Sequence, residues 1–493
     1  MENRPDIEGM VSGMNKRTFP LATLPRITLV AGLAVFAAWQ VANATKGVPP
    51  RLPGADLAPN AQEANVSTAV TPGKVVKGNG QPGKDLGTWP QFRGANRDGI
   101  SEQNIGHSPV WAGNGPPRAW SIDCGEGYAG AAVQNGQVFL MDYDAARKES
   151  AIRCLSLADG VECWRYAYPV VLKRNHGMTR TVPSLTDKYL VAMDPKCNLL
   201  CLDLKTGALR WRLDLVKDFG SSIPPWYTGQ CPLIEGNTVF AAPGGPEALL
   251  LAVDLESGKT LWQSKNPRGW KMTHSSLMSF DFAGQHMLAY CASGGLVGVS
   301  AKTGELLWDT PDWKISIATV PSPLSLGDGK LFLSGGYNAG SALLQLENQA
   351  GKIIPKMLFK LPAETFGATQ HTPILLNQHL YGTRPNGQFT CLDLTGKVLW
   401  TSPAGKDFGL GSYLLAGDTF LVLNDAGTLT LIAATPAGFT QLGEAKLMSG
   451  GEAWGPMALV NGRLLVRDLT HLACFDVSGG LVASANGSSS QKQ

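Results

Sequence analysis

Residues 201–211 read CLDLKTGALRW. The alternation in CLDL is that of a half-buried strand, and Thr206-Gly207 supplies a tight turn in which Gly207 is free to take a positive φ. Trp211, four residues on, falls on the returning strand. The unit recurs as LADGVECW ending at Trp164, LESGKTLW at Trp262, AKTGELLW at Trp308 and DLTGKVLW at Trp400. Weaker copies are NQAGKIIP at Gly351, with Phe359 in the place of the Trp, TPAGFTQL at Gly438 and DVSGGLVA at Gly479. Turn glycines therefore stand at 160, 207, 258, 304, 351, 396, 438 and 479, a mean period of about 46 residues. A four-stranded propeller blade takes about 40 to 50 residues.

A second hairpin lies upstream of each turn, as in PSLTDKYLVAM at 183–193 and SPLSLGDGKLFLS at 322–334. Each period then holds four strands, and no helical periodicity of useful length follows residue 89. The reading is an all-β, eight-bladed β-propeller of four-stranded blades; seven blades follow if Gly351 or Gly438 is not a blade turn. The last copy lacks its Trp and its outer strand. RAWSID at 118–123 is the natural replacement, because pairing the N- and C-terminal strands closes the ring and leaves no open edge there. Trp164, Trp211, Trp262, Trp308 and Trp400 are then structural, covering the gaps between blades.

The chain has 493 residues with Lys plus Arg at 42, Asp plus Glu at 39 and a net charge of +3. No basic run stands out, which argues against a nucleic-acid protein. At 44 % hydrophobic residues a packed core is affordable, and 58 glycines spread along the chain imply many tight turns.

ITLVAGLAVFAAW at 27–39 is uncharged, preceded by Lys16, Arg17 and Arg26 and followed by Ala42-Asn43-Ala44. This is the layout of a secretory signal, and extended to Ala44 it is just long enough to span a membrane. Cleaved signal and uncleaved anchor both stay open, the long leader favouring the anchor; either way the remainder is exported. The expected organisation is leader plus signal or anchor at 1–44, a flexible Pro/Gly-rich linker at 45–88, the propeller at 89–480 and a disordered tail at 481–493. A partial phosphate-loop match, GNGQPGKD at 78–85, lies in that linker and has Asp where the motif needs Ser or Thr.

Cys154, Cys201, Cys391 and Cys474 occupy equivalent places in RCLSL, LCLDL, TCLDL and ACFDV, where another copy has Ala. They read as small buried strand residues. Cys154 and Cys163 flank the Ala158-Asp159 turn and are placed to face each other across a hairpin. No Cys near residue 44 offers a lipid anchor, and no C-x-x-C-H offers covalent haem.

The repeat resembles the pyrroloquinoline-quinone (PQQ)-like propeller repeat, an apolar-Asp-apolar strand followed by Thr-Gly and then Trp. The resemblance covers roughly residues 89–480. WPQFRGANRDGIS at 89–101 is similar to the opening motif of exported propellers of planctomycete-like bacteria. The resemblance implies the fold but leaves the function open, since these blades build both quinone-dependent alcohol dehydrogenases and a cofactor-free scaffold of outer-membrane protein assembly. The dehydrogenases would require an adjacent-cysteine disulfide, a facing Trp and a Ca²⁺ site with a catalytic Asp. This sequence has no Cys-Cys pair and no dense carboxylate loop. It also lacks paired metal-binding His or Cys spacing and a G-x-S-x-G elbow. No cofactor and no metal are expected, with PQQ and Ca²⁺ as the alternative.

If the ring binds a ligand, fold logic places it at the channel mouth, where each innermost strand begins. The candidates there are Arg180, Trp226, Tyr227, His274, His371 and Trp454, a set suited to a carbohydrate, a quinone or an anionic peptide end. The same residues would equally seal the channel and pair with backbone. The expected function is that of a non-catalytic binding or scaffold module, exported and tethered on the periplasmic side of the cytoplasmic membrane. Its partner would be an envelope protein or a carbohydrate, with no nucleic acid, on a monomeric propeller. A quinoprotein alcohol or sugar dehydrogenase is the alternative, and a carbohydrate-binding propeller a further one.

Overall fold

A computed structural model describes residues 72–102 and 115–478. Eight sheets, each built on four antiparallel strands, make eight blades, and two of them carry a fifth strand. Blade 1 is Ala132–Gln134, Gln137–Asp144, Glu149–Ser156 and Glu162–Pro169, the first strand innermost. Blades 2 to 7 follow at 184–214, 233–263, 278–310, 324–361, 374–401 and 413–446. Blade 8 takes Ala458–Val460, Arg463–Arg467 and His471–Asp476 from the C-terminal end. Its outer strand comes from far upstream. Counting strands from the N-terminus as β1 (Lys74–Lys77), β2 (Ile100–Ser101) and β3 (Arg118–Asp123), it is β3 that pairs antiparallel with His471–Asp476, Trp120 facing Cys474. Eight blades and closure by both ends of the chain stand as the repeat indicated.

The sequence motif works through two linked contacts. In each blade the third and outer strands slip by one residue at a bulge, and the ring residue faces a partner across it. Trp164 faces Cys154, Trp211 faces Cys201, Trp262 faces Ala252 and Trp308 faces Gly298. Trp400 faces Cys391. The cysteines are therefore spacers under an indole, and at Gly298 a Cβ would lie 2.0 Å from the Trp308 ring. Where the ring shrinks the partner grows: Phe359 faces Leu343 and Gly443 faces Leu431. Volume is thereby kept nearly constant in a close-packed sheet interior.

The indole then reaches the next blade. An added Cβ at Gly160, Gly207, Gly258 or Gly304 would strike the ring of Trp120, Trp164, Trp211 or Trp262 at 2.8 Å or less, and all four glycines have φ between 71° and 74°. Trp120 Nε1 donates to Leu157 O (2.9 Å) and Trp211 Nε1 to Leu255 O (2.8 Å), fixing each ring over its seam. Phe359 does stand in for a Trp, meeting Gly396 of blade 6. Gly351 differs. Blade 5 ends in a long hairpin, Gly340–Gln349 and Lys352–Leu361, which carries its turn away from the ring, and nothing lies within 4 Å of a Cβ there. Trp308 instead joins the cluster of Leu331, Leu344, Leu346 and Ile353.

The linker expected to reach residue 88 ends earlier. β1 adds a fifth strand to blade 1, Lys77 opposite Trp164, and covers the outer edge of that blade. Gly78 and Gly80 donate to Cys163 O and Glu162 O, each 2.9 Å. A Cβ at either would sit 2.3 Å or less from a backbone oxygen of the blade. These glycines serve close approach rather than flexibility, which composition alone does not distinguish. The GNGQPGKD stretch lies here, against a sheet edge. The signal or anchor at 1–44 and the tail at 481–493 lie outside the described residues. Among the described residues no helix is long and apolar enough to cross a membrane.

Cys154 and Cys163 are free thiols, as are the other seven cysteines.

Candidate functional site

Blades 2 to 6 meet through a chain of hydrogen bonds between residues that stand two positions before each inner strand. Val182 N–H donates to Cys231 Sγ (3.2 Å), Cys231 N–H to Ser276 Oγ (3.0 Å), Ser276 N–H to Ser322 Oγ (3.2 Å) and Ser322 N–H to Thr372 Oγ1 (2.8 Å). Buried backbone donors need partners, and here each blade supplies one to its neighbour. The relay runs from blade 2 to blade 6. Sequence reasoning missed these residues. A readable signal exists, since Cys231, Ser322 and Thr372 each precede a proline, which favours an extended residue before it.

The opening motif joins blades 6 and 7 to blades 1, 2 and 3. Trp89 exchanges two hydrogen bonds with Val133 of blade 1, and Leu185 N–H of blade 2 donates to Pro90 O. Arg97 donates to Pro232 O of blade 3 (3.0 Å), while Arg93 donates to Thr372 O and to Pro373 O (3.0 Å) of blade 6. β2 pairs parallel with the inner strand of blade 7. WPQFRGANRDGIS is therefore an axial strap that ties five blades together. Both arginines are deeply placed, and burial pushes both guanidiniums down to about 10.

The mouth candidates sit around this ring. Arg180 is spent on its own loop, donating to the carbonyls of Asn175 (3.1 Å), His176 (2.7 Å) and Gly177 (3.4 Å), with its guanidinium over the Tyr128 ring at 5.6 Å. Trp454 packs on Tyr128 at 5.2 Å and donates from Nε1 to Asp425 Oδ1 (2.7 Å). Tyr128 in turn donates to Glu452 (2.5 Å). Trp226 lies between two imidazoles, 6.2 Å from His176 and 6.0 Å from His274. His371 packs against Tyr413 at 5.8 Å. Tyr227 does not join them: it is 2 % exposed, and its hydroxyl both donates to Lys173 O and accepts from Lys173 N–H. Tyr128, His176, Asp425 and Glu452 belong to the mouth, and nothing in the repeat marked them.

The electrostatics are those of neutral rings. Burial, and then the Arg180 charge, push His274 down to about 3. Burial, and then Arg93, push His371 down to about 4. Imidazoles this weakly basic are poor proton acceptors at neutral pH. Trp226 Nε1, His274 Nε2 and His371 Nε2 are buried without a hydrogen-bond partner among the described residues. Trp226 and Trp454 are 7 % and 6 % exposed, so neither offers a free ring face for a sugar to stack on. Beside His371, Arg93, Ser412 and Tyr413 line a cavity of about 20 Å³, a volume on the scale of one water molecule.

No two cysteines are adjacent in the chain. Among the described residues no three His, Cys, Asp or Glu side chains converge to hold a metal ion.

Comparison with known proteins agrees with the architecture. The outer membrane protein assembly factor BamB of Yersinia pestis is 23 % identical over 332 residues, covering 54 % of this chain and 82 % of that protein. BamB of Shewanella oneidensis is 22 % identical over 238 residues, covering 45 % of this chain and 56 % of that protein. Among solved structures, a europium-containing methanol dehydrogenase superposes with a TM-score of 0.55 at 14 % identity, over 77 % of this chain and 89 % of its own. That likeness is one of fold. The profile of a PQQ-like repeat family, described as outer membrane protein assembly factor BamB, matches residues 118–222 and 148–402. With more than half of its length inside that match and the repeat built as eight blades, the chain belongs to the PQQ-like β-propeller family.

Proposed function

We propose that this chain is an exported, membrane-tethered scaffold without catalytic activity of its own, which holds other envelope proteins during assembly of the outer membrane. The observation that carries this reading is the family match across the blades, to a profile described as an outer-membrane assembly factor. The interior supports it. Arg180 is committed to backbone carbonyls, the mouth tryptophans are packed, and the two neutral histidines lack the basicity for acid–base work. Binding would then fall to the loops on the two faces and to the outer strands of the blades.

The test is cross-linking of the tagged full chain in intact envelopes, with the captured proteins identified by mass spectrometry. Specific enrichment of outer-membrane assembly proteins is expected. Capture no richer than background, together with saturable micromolar binding of PQQ and Ca²⁺ followed by quinone absorbance and melting temperature, would overturn it in favour of a quinoprotein dehydrogenase.

A further inference from the structure

Each of the eight blades repeats one bulge, and this gives eight versions of the same local geometry to compare. At a bulge two residues of one strand oppose a single residue of the other. The ring residue is one of the two; the residue before it is the other. That preceding residue is Arg210 in blade 2, a leucine in blades 3 to 7 and Ala119 in blade 8. In blade 1 it is Cys163, and the residue it opposes is Cys154. Among these eight sites blade 1 alone sets two thiols against one another.

The pair is also unlike in its surroundings. Cys154 is fully buried, whereas Cys163 is partly exposed on the outer strand. Gln137 donates from Nε2 to Cys154 Sγ (3.0 Å), and the Cys163 thiol is within hydrogen-bond reach of the Cys154 thiol and of Gln137. The hydrogen bond from Cys154 holds the Cys163 thiol below the usual range, while burial drives Cys154 upward. Cys201, Cys391 and Cys474, at the places equivalent to Cys154, are buried, and burial raises all three.

We propose that Cys154 and Cys163 form a redox-active thiol pair, with Cys163 as the attacking thiol and Cys154 as the resolving one. The Cys163 thiolate attacks one sulfur of an incoming small-molecule or protein disulfide, forming a mixed disulfide and releasing one thiol. Cys154 gives up its proton to that departing thiolate or to water and attacks Cys163 Sγ, which expels the second thiol and leaves the Cys154–Cys163 disulfide. Two thiols are oxidised and one external disulfide is reduced to two thiols, so atoms and electrons balance. The bridge sits beside Trp164, which lies on Gly207 of blade 2, and beside Gly78, which donates to Cys163 O. Oxidation would therefore stiffen the seam between blades 1 and 2 and the edge on which β1 is seated.

The experiment treats the full chain with oxidised glutathione, then alkylates free thiols and maps peptides without reduction. Loss of two of the nine thiols in a single 154–163 linked peptide is expected, with native-state alkylation of Cys163 about tenfold faster than that of Cys201. Cys163→Ser should abolish the reaction, whereas Cys154→Ser should trap glutathione on Cys163. Retention of all nine thiols, or a stable glutathione adduct on Cys163 in the unaltered protein, would overturn the proposal.

Discussion

The outer rim and the inner ring hold the same eight blades together by different means. At the rim one device is repeated: an indole carried on the outer strand of one blade lies on the turn glycine of the next, as Trp211 does on Gly258. Around the axis the relay from Val182 to Thr372 serves five blades, the Trp89–Ser101 strap outside the repeat ties blades 6 and 7 to blades 1 to 3, and blade 8 is held by the buried Arg467, which donates to Ala129 O (3.1 Å) and Gly125 O (2.9 Å). The contrast teaches that a repeated sequence unit can specify repeated seams but cannot specify an axis that one copy of one segment must cross.

The comparison can be broken first at the rim. Trp211→Ala removes a buried indole and its hydrogen bond and should cost about 3–5 kcal/mol. Gly258→Ala places a Cβ 2.5 Å from that indole at φ 71° and should cost about 2–3 kcal/mol. Gly351→Ala, with the same kind of backbone but nothing within 4 Å, should cost about 1 kcal/mol. Urea unfolding of the three variants measures the order, and equal losses at Gly258 and Gly351 would remove the ring-on-glycine contact as the reason.

At the axis, Arg93→Met should cost about 2–3 kcal/mol, because it leaves the carbonyls of Thr372, Pro373, Arg97 and Asp98 without their donor. Local amide exchange should rise at β2 and in the inner strands of blades 6 and 7 while the rim of blades 2 to 4 stays protected. Uniform loosening of all blades would mean that the strap is not a local clasp.

The smallest effect at neutral pH separates buried from exposed histidines, since the buried mouth pair and the exposed His286 should titrate in opposite directions. His274 and His371 have folded values of about 3 and about 4, below an unfolded value near 6.5. Their contribution is complete above about 6.5 and is lost as pH falls through the window down to about 3–4. His286, on the second strand of blade 4, bridges Glu235 and Asp281 at the ends of the inner strands of blades 3 and 4, each at 2.8 Å; burial lowers it, and the two carboxylates outweigh burial and raise it. Its contribution is complete below the unfolded value and fades as pH rises through the folded one. It is partly exposed and worth less than about 1 kcal/mol. Melting temperatures of His274→Gln, His371→Gln and His286→Gln proteins from pH 4 to 8 should show flatter acid loss for the first two and a small loss confined to acid pH for the third.

Much of the rim was legible in the chain. The spacing of the turn glycines gave the blade count, RAWSID the closing strand, and Phe359 a substitute for the missing indole, because each has a fixed place on a strand of period two or at a tight turn. The mouth was legible only by position. Arg180 and Trp454 share the Tyr128 ring, Trp226 packs on His274 and His371 on Tyr413, and neither these contacts nor the use of Asp425 and loop carbonyls could be read from spacing. Tyr227 follows Trp226 in sequence and faces elsewhere. The glycines at 78 and 80 misled because close approach and flexibility have the same composition.

By itself, then, the sequence determined the blade, its number and its closure, since these rest on local turns, alternation and a ring residue in all but one of the blades. Only the tertiary structure decided what crosses the axis, which polar groups at the mouth were already spent, and which of eight identical bulges brought two cysteines together. Those are contacts between residues distant in the chain, and their energies depend on burial and on partners that no local pattern encodes.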